Sequence, residues 1–472
     1  MEELIDKKDP LIDETKIPLK RILGVVTAIL MVTGNMIGTG VFKKVVPMAQ
    51  TGLSENFILL AWIVAGLIVL LGAFTFAGLA RLTTESGGIY EYLRISFGSF
   101  IAFLDGWGLF IIVGSGSVAA IAFIFSQSVN SLVAIPNPFQ QWSHISIANS
   151  IYPFDSSGIK IFAVITVVVL SWFNYRGVKN SAGLNNLVTS AKILGILFLI
   201  LAGLILTIPA TSVSAVAPTF TRYSTPTFAI FMTAMLSAFW AYDGFTNVTA
   251  IAGEIKNPQR NIPVAIISAV SIVMVLYVLV NYAFMKVMPL NQLAALGENK
   301  IAATEVAGKL VGNGGSMFIS ILIMLSSFGT LNLIILFYSR VYYRMAQEGV
   351  FFKGASKVHP VYRTPYNALW YSMIWSSILI LSGTFDVLTN MVIFTGFAFY
   401  ILAAFALIKL KRKKVIKSKI PGYPVAPVLF ILFTAIFLTG TLISSPKQSL
   451  TGTALLLTGV PFYYVIRKKG HG

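Results

Sequence analysis

The sequence predicts an all-α polytopic membrane protein with twelve transmembrane helices, and three observations predict it. Of 472 residues, 56% are hydrophobic and only 11% charged, whereas soluble domains carry about 25% charged residues. Mean hydropathy is +0.81. Apolar runs that suit a hydrocarbon core about 30 Å thick, which takes roughly 20 helical residues, recur along the chain. No polar linker of the kind that separates soluble domains interrupts them.

Taken in order, the runs place spans at residues 22–46, 57–80, 99–131, 159–175, 184–207, 226–252, 263–286, 315–345, 366–383, 386–410, 424–443 and 449–466. The third and eighth exceed an upright crossing and are expected to tilt or extend past the bilayer. Pro461 interrupts the twelfth. Residues 1–20, MEELIDKKDPLIDETKIPLK, form a polar arm of mixed charge, and the apolar run after it is too long for a cleaved signal. Most Lys and Arg residues fall on segments that alternate spans place on the side of that arm. KLKRKKVIKSK, Lys409–Lys419, contributes most. Both termini are therefore expected in the cytoplasm. The basic loop reads as a topology anchor at lipid headgroups or as a regulatory anionic-lipid site. The net charge of +18 thus has a topological cause and requires no nucleic acid.

Cysteine is absent, and the three histidines (His144, His359, His471) fall outside the spans. Disulfides, thiolate metal sites and a cysteine nucleophile are excluded, and no metal or cofactor is expected. A membrane-embedded enzyme would show paired carboxylates or histidines at one depth. A channel would show rings of charge or carbonyls along a pore. Neither pattern is visible.

Two spans break the rules of a membrane helix. The first contains VTGNMIGTGVF, Val32–Phe42, with Gly34, Gly38, Gly40 and an asparagine. Glycine costs a helix interior about 1 kcal/mol relative to alanine, and lipid gives an opened backbone nothing to bond. The sixth contains SAFWAYDGFTNVTAIAGE, Ser237–Glu254, with Asp243-Gly244 near its middle, and a carboxylate at mid-bilayer costs at least about 2.5–3.5 kcal/mol. A glycine patch taken alone reads equally well as close helix packing. Interruptions at corresponding places in two five-helix sets, residues 21–207 and 226–410, point instead to an inverted-repeat transporter.

The chemistry of such breaks selects a ligand. An unwound helix frees N–H groups at the start of one half and C=O groups at the end of the other. Those ends carry roughly half a unit of positive and negative charge. The N–H groups of Gly38, Thr39 and Gly40 suit a carboxylate. The carbonyls of Met36 and Ile37, and of Trp240 and Ala241, suit an ammonium. A zwitterion would satisfy both. Trp240 beside the break is a candidate lid, and Tyr242, Asp243 and Gly244 complete the candidate set.

Several separated motifs resemble the amino acid–polyamine–organocation superfamily, most closely its L-type amino acid transporter branch and bacterial permeases. They are GNMIGTGVF in the first span, ESGGIYEYLRISFGSFIAFL (Glu85–Leu104), TSAKILGIL (Thr189–Leu197), FWAYDGFTNVTAIAGEIKNPQRNIPVAI (Phe239–Ile267) and SSFGTLNLIILFYSRVYYRMAQEG (Ser326–Gly349). The resemblance implies a five-plus-five inverted repeat of the LeuT type over residues 21–410. Residues 411–472 then hold a basic loop, two further helices and a short tail. It also implies alternating access to a central amino acid site, by exchange or proton symport. Met36, Thr39 and Gly40 match first-helix substrate contacts, Trp240 the gating aromatic, and Ala241 and Asp243 neighbouring contacts. Neutral amino acids are favoured, and Asp243 leaves a cationic amino acid open, as it leaves structural pairing with a polar neighbour. A polyamine or other organocation is the alternative cargo. Without cysteine no disulfide-linked heavy chain can attach, so a monomer in lipid is expected.

Lys192 is the basic residue well inside a span. It can snorkel, or, as the resemblance implies, reach the first and eighth helices where sodium sits in sodium-coupled relatives. There it would be a fixed cation or a carrier of a coupling proton. Asn332 is a candidate partner for Lys192 or for substrate. Asp105 and Asp386 are expected near membrane interfaces in structural roles.

Overall fold

The computed structural model describes residues 19–145, 153–206, 228–296, 300–382, 385–444 and 446–469. Among them the secondary structure is helical throughout, apart from one isolated backbone bridge. Eleven described helices are long and apolar enough to cross a membrane, which makes this a multi-pass membrane protein. The run read as a ninth span is a helix of 17 residues, Tyr366–Ser382. It ends where that stretch of described residues ends, at Ser382, and is not among the eleven. Large apolar side chains such as Leu67, Trp172, Leu194, Ile205 and Val275 lie exposed on the outer faces, as a lipid solvent allows.

The long spans resolve individually. The third, Ser99–Asn130, carries one π-helical turn at Leu109–Val113. The eighth, Asn313–Gln347, is a single helix of 35 residues, and at about 1.5 Å per residue it is roughly 52 Å long. It forms the centre of the molecule, buried almost continuously from Ser326 to Tyr343. The final run divides into Pro446–Leu457 and Gly459–Lys469. The break falls at Thr458 rather than at Pro461. A side chain at Gly459 would lie 2.6 Å from the Trp107 ring, whose indole N–H donates to the Thr458 hydroxyl at 3.1 Å. Pro461 sits in the first turn of the new helix, where no intrahelical N–H bond is lost.

Both anomalous spans are interrupted. The first runs Val25–Met36, opens at residues 37–39, and resumes as Gly40–Lys43 and Val45–Gln50. The sixth runs Phe228–Tyr242 and turns at residues 243–246. Gly244 there has φ +94, a conformation that side chains resist. The chain then continues not as an α-helix but as a 3-10 helix, Asn247–Glu254. That winding has poorer hydrogen bonds, and its neighbours hold it. Glu254 C=O accepts from the N–H groups of Ile22 and Leu23 at 3.0 and 3.1 Å, Lys256 N–H donates to Leu23 C=O at 2.8 Å, and Gly87 N–H donates to Ala250 C=O at 3.1 Å. The Glu254 carboxylate meets Arg340 at 2.6 Å, with the two side chains 1% and 0% exposed.

Beside this strap, the helix Ile89–Phe97 brings Glu91 between two guanidiniums. Arg94 donates to its two oxygens at 2.9 and 2.8 Å, and Arg344 at 3.2 and 3.3 Å. Burial pushes the Glu91 carboxyl up, yet the hydrogen bonds and charges of Arg94 and Arg344 prevail and hold it below its ordinary value of 4.5. A carboxyl depressed on folding adds stability above its unfolded pKa and loses it as pH falls through the folded one. Glu91→Gln is therefore expected to cost about 1–3 kcal/mol at neutral pH. Below pH 4.5 the two proteins should converge. Thermal unfolding in detergent across pH 3 to 7 checks both statements (roughly the carboxylate titration range).

Candidate substrate site

A cavity lies between the two interruptions. Met36, Gly38, Thr39 and Gly40 line it from the first span, and Trp240, Asp243 and Gly244 from the sixth. Ile37, Ala241 and Tyr242 do not belong to its wall. The Ile37 carbonyl accepts from the Ser326 hydroxyl at 3.0 Å. The Tyr277 hydroxyl sits 2.7 Å from Met36 O and 3.2 Å from Ala241 O and donates to that pair. Tyr242 gives its hydroxyl to the Trp62 carbonyl at 3.2 Å. Much of the expected carbonyl cradle is thus already engaged by hydroxyls.

The donor side is different. Gly38 N–H closes a tight turn onto Met36 O at 2.7 Å. The helix that starts at Gly40 leaves its first N–H groups without an intrahelical acceptor. Facing them is a group that the sequence reading did not assign, Asn35. Its Nδ2 donates to Gly244 C=O at 2.8 Å, joining the two interruptions, and its buried Oδ1 has no partner among the described residues. The Asn35 side chain lines the same cavity, so the wall offers unspent donors and an unspent acceptor.

The glycines divide by role. A Cβ on Gly40 would stand 2.7 Å from the Ala241 Cα, so this glycine permits close approach of the first and sixth spans as well as lining the cavity. A Cβ on Gly34 would collide with Thr189. On Gly38 it would meet only Thr330, at 3.8 Å. Gly38 is the open one.

Lys192 is 0% exposed, and its ammonium donates to Gly34 C=O at 2.8 Å and meets the Thr330 hydroxyl at 2.9 Å. It crosses to the first and eighth spans and does not snorkel. Asn332 is not among these partners; its Oδ1 accepts from Asn174 Nδ2 at 2.8 Å, and it does not line the cavity. Thr330, two residues away, is the eighth-span contact that the sequence reading missed. Asp243 accepts from the Tyr400 hydroxyl at 2.8 Å while still lining the cavity. Trp240 lines it with the Lys44 ammonium 5.6 Å from its ring centre. Asp105 is buried, at 8% exposure. His359 accepts the N–H groups of Val361 and Tyr362 outside the spans. The Asp386 side chain and His471 lie outside the described residues.

A model of the family described as amino acid permease matches residues 23–466. The chain belongs to the amino acid permease family. This permease is 29% identical over 462 residues to the serine/threonine exchanger SteT of Bacillus subtilis, across 96% of this chain and 98% of that protein. It is 28% identical over 452 residues to the human large neutral amino acids transporter small subunit 2, across 95% of this chain and 81% of the relative. To the human b(0,+)-type amino acid transporter 1 it is 27% identical over 449 residues, covering 95% and 88%. The permease is a transporter and not an enzyme, and with no cysteine it carries no disulfide to a heavy chain.

The glycine geometry predicts a split between neighbours. Gly40→Ala overpacks against Ala241 and should lower stability by about 1–3 kcal/mol. Gly38→Ala should leave thermal unfolding in detergent unchanged while placing a methyl group in the cavity. Melting curves of the two variants check this.

Proposed function

We propose that this permease moves L-amino acids across the cytoplasmic membrane by alternating access, with both termini in the cytoplasm and the monomer as the working unit. The paired interruptions of the first and sixth spans support a five-plus-five inverted repeat of the LeuT type, followed by two further helices. The observation that carries the reading is the cavity wall itself. Thr39 and Gly40, at the start of the second half of the first span, line the same space as Asn35, whose Oδ1 has no partner among the described residues.

In this reading the substrate carboxylate docks on the N–H groups of Thr39 and Gly40, and its ammonium on Asn35 Oδ1, whereas the Gly38 N–H and the Met36 carbonyl are already bonded within the seam. Trp240 closes over the site. Neutral side chains are favoured because Tyr400 already occupies one oxygen of Asp243. The exposed remainder of that carboxylate supports a second reading, in which cationic amino acids are also accepted. Lys192, tied to the carbonyl end of the first helix half, acts as a fixed cation there, favourable at a helix C-terminus. That arrangement, together with one relative named as an exchanger, supports obligatory exchange over proton symport.

Uptake into proteoliposomes of neutral, cationic and acidic amino acids and a polyamine tests these statements, with and without internal amino acid and a pH gradient. Neutral amino acids should enter only against internal amino acid. Uptake of the polyamine alone would overturn the reading. Trp240→Ala should lose most transport at normal membrane yield, whereas Lys192→Ala should lose transport at every pH; a shifted pH profile at full rate would instead indicate proton coupling. If arginine or lysine is carried, Asp243→Asn should abolish that activity and spare neutral uptake.

A further inference from the structure

A second cavity lies beside the loop between the second and third spans, and nothing in the function above uses it. Asp105 and Tyr90 line it, together with the backbone of Gly87 and Gly88. Asp105 is 8% exposed, and its side chain has no hydrogen bond or ion pair with any described residue. The neighbouring guanidiniums of Arg94 and Arg344 are committed to Glu91 and Glu348. The buried Tyr90 hydroxyl also has no partner among the described residues. Native interiors leave few such groups unpaired, and each calls for an explanation. Here a carboxyl group and a hydroxyl, neither with a partner among the described residues, belong to residues that line one space, and together they suit an ammonium and a carboxylate.

The second cavity also adjoins the first. Asn247 and Tyr338 line both, and Asn247 Nδ2 donates to the Tyr338 hydroxyl at 3.3 Å. One partner starts the 3-10 segment of the sixth span and the other belongs to the continuous eighth helix. This bond thus joins two residues common to the walls of both spaces. Its partners stand on different elements, so a shift of one against the other opens it.

We propose that the second cavity is an inner station on the substrate's path to the cytoplasm, where Asp105 receives the ammonium of the amino acid and Tyr90 its carboxylate. The proposal rests on the amino acid carrier reading and on assigning the loop at residues 81–98 to the cytoplasm. The central site recognises the zwitterion first. The inner station holds it again after the Asn247–Tyr338 bond parts, so the charged groups are not left bare between the site and water.

The test is sided kinetics in proteoliposomes of uniform orientation, with tritiated L-serine as probe, or the best substrate of the uptake panel where serine is not carried. Asp105→Asn should raise the KM measured from the cytoplasmic face about tenfold, the scale of a lost charge-assisted hydrogen bond, and leave the outer KM unchanged. Asp105→Glu should restore most of the inner affinity. Tyr90→Phe should raise the inner KM about threefold, as for a neutral hydrogen bond, which keeps the test open if Asp105→Asn does not fold. An inner KM equal to wild type in the variants, or an equal rise on both faces, overturns the station and leaves Asp105 a structural group. Wild-type protein that carries no amino acid would refute the carrier reading instead, before any variant is compared.

Discussion

A backbone opened inside a membrane protein must find its hydrogen bonds in other parts of the chain, because lipid supplies none and each unsatisfied group costs several kcal/mol. The carbonyls around both breaks meet that condition through side chains of other spans. Gly34 O takes Lys192 and Thr330, Met36 O and Ala241 O share Tyr277, Ile37 O takes Ser326, and Gly244 O takes Asn35. The donors come from the fifth, seventh and eighth spans and from the first itself. The breaks are therefore not loose segments. They are seams held by named hydroxyls, one amide and one ammonium, and the cavity is what remains where the seam is left unsewn.

The two seams differ in strength. Beyond its break the first span resumes α-helical winding, whereas the sixth continues in 3-10 form, with fewer and poorer internal bonds. Its position depends on attachments: the backbone bridge from Leu23 to Ile255, the Gly87 N–H to Ala250, and the Glu254–Arg340 pair. A buried ion pair adds little net stability but punishes any arrangement that separates it without replacement. The 3-10 segment is thus a discrete element fixed at one end by charge and at its start by the Asn247–Tyr338 bond. Such an element suits a two-position gate better than a continuously flexing one.

How much of this was legible in the sequence depends on what each residue answers to. The position of both breaks was, because glycines and an aspartate inside apolar runs conflict with helix propensity and with lipid wherever the chain folds. The crossing of Lys192 to the first and eighth spans followed from its depth and the family resemblance. The partners were not. Thr330 rather than Asn332 meets Lys192 because the eighth helix turns Asn332 toward Asn174, a rotation set by packing of a helix whose pattern is apolar all round. Asn35 stood in the quoted motif, yet its role depends on Gly244 lying opposite, 209 positions away. Likewise Gly34 and Gly40 answer to Thr189 and Ala241, so their steric function is tertiary. The one signal available for Asp105 was its cost, since an acid within an apolar run is rarely idle.

Moving a zwitterion through this interior poses the same problem that the breaks solve for the backbone. Each charged end must keep a partner at every depth, because an isolated charge in a low-dielectric interior is prohibitively unstable. At the proposed central site the partners would be mostly backbone groups and one amide, with Asp243 in the same wall already bonded to Tyr400. Toward the loop at residues 81–98 the donors of the broken helices run out, and in the proposed path Asp105 and Tyr90, which line the second cavity, would take over. The order is physically sensible: recognition by dipoles where the site must open to both sides in turn, and recognition by charge where only passage is needed. A site built from full charges at the centre would hold its cargo too firmly to exchange it.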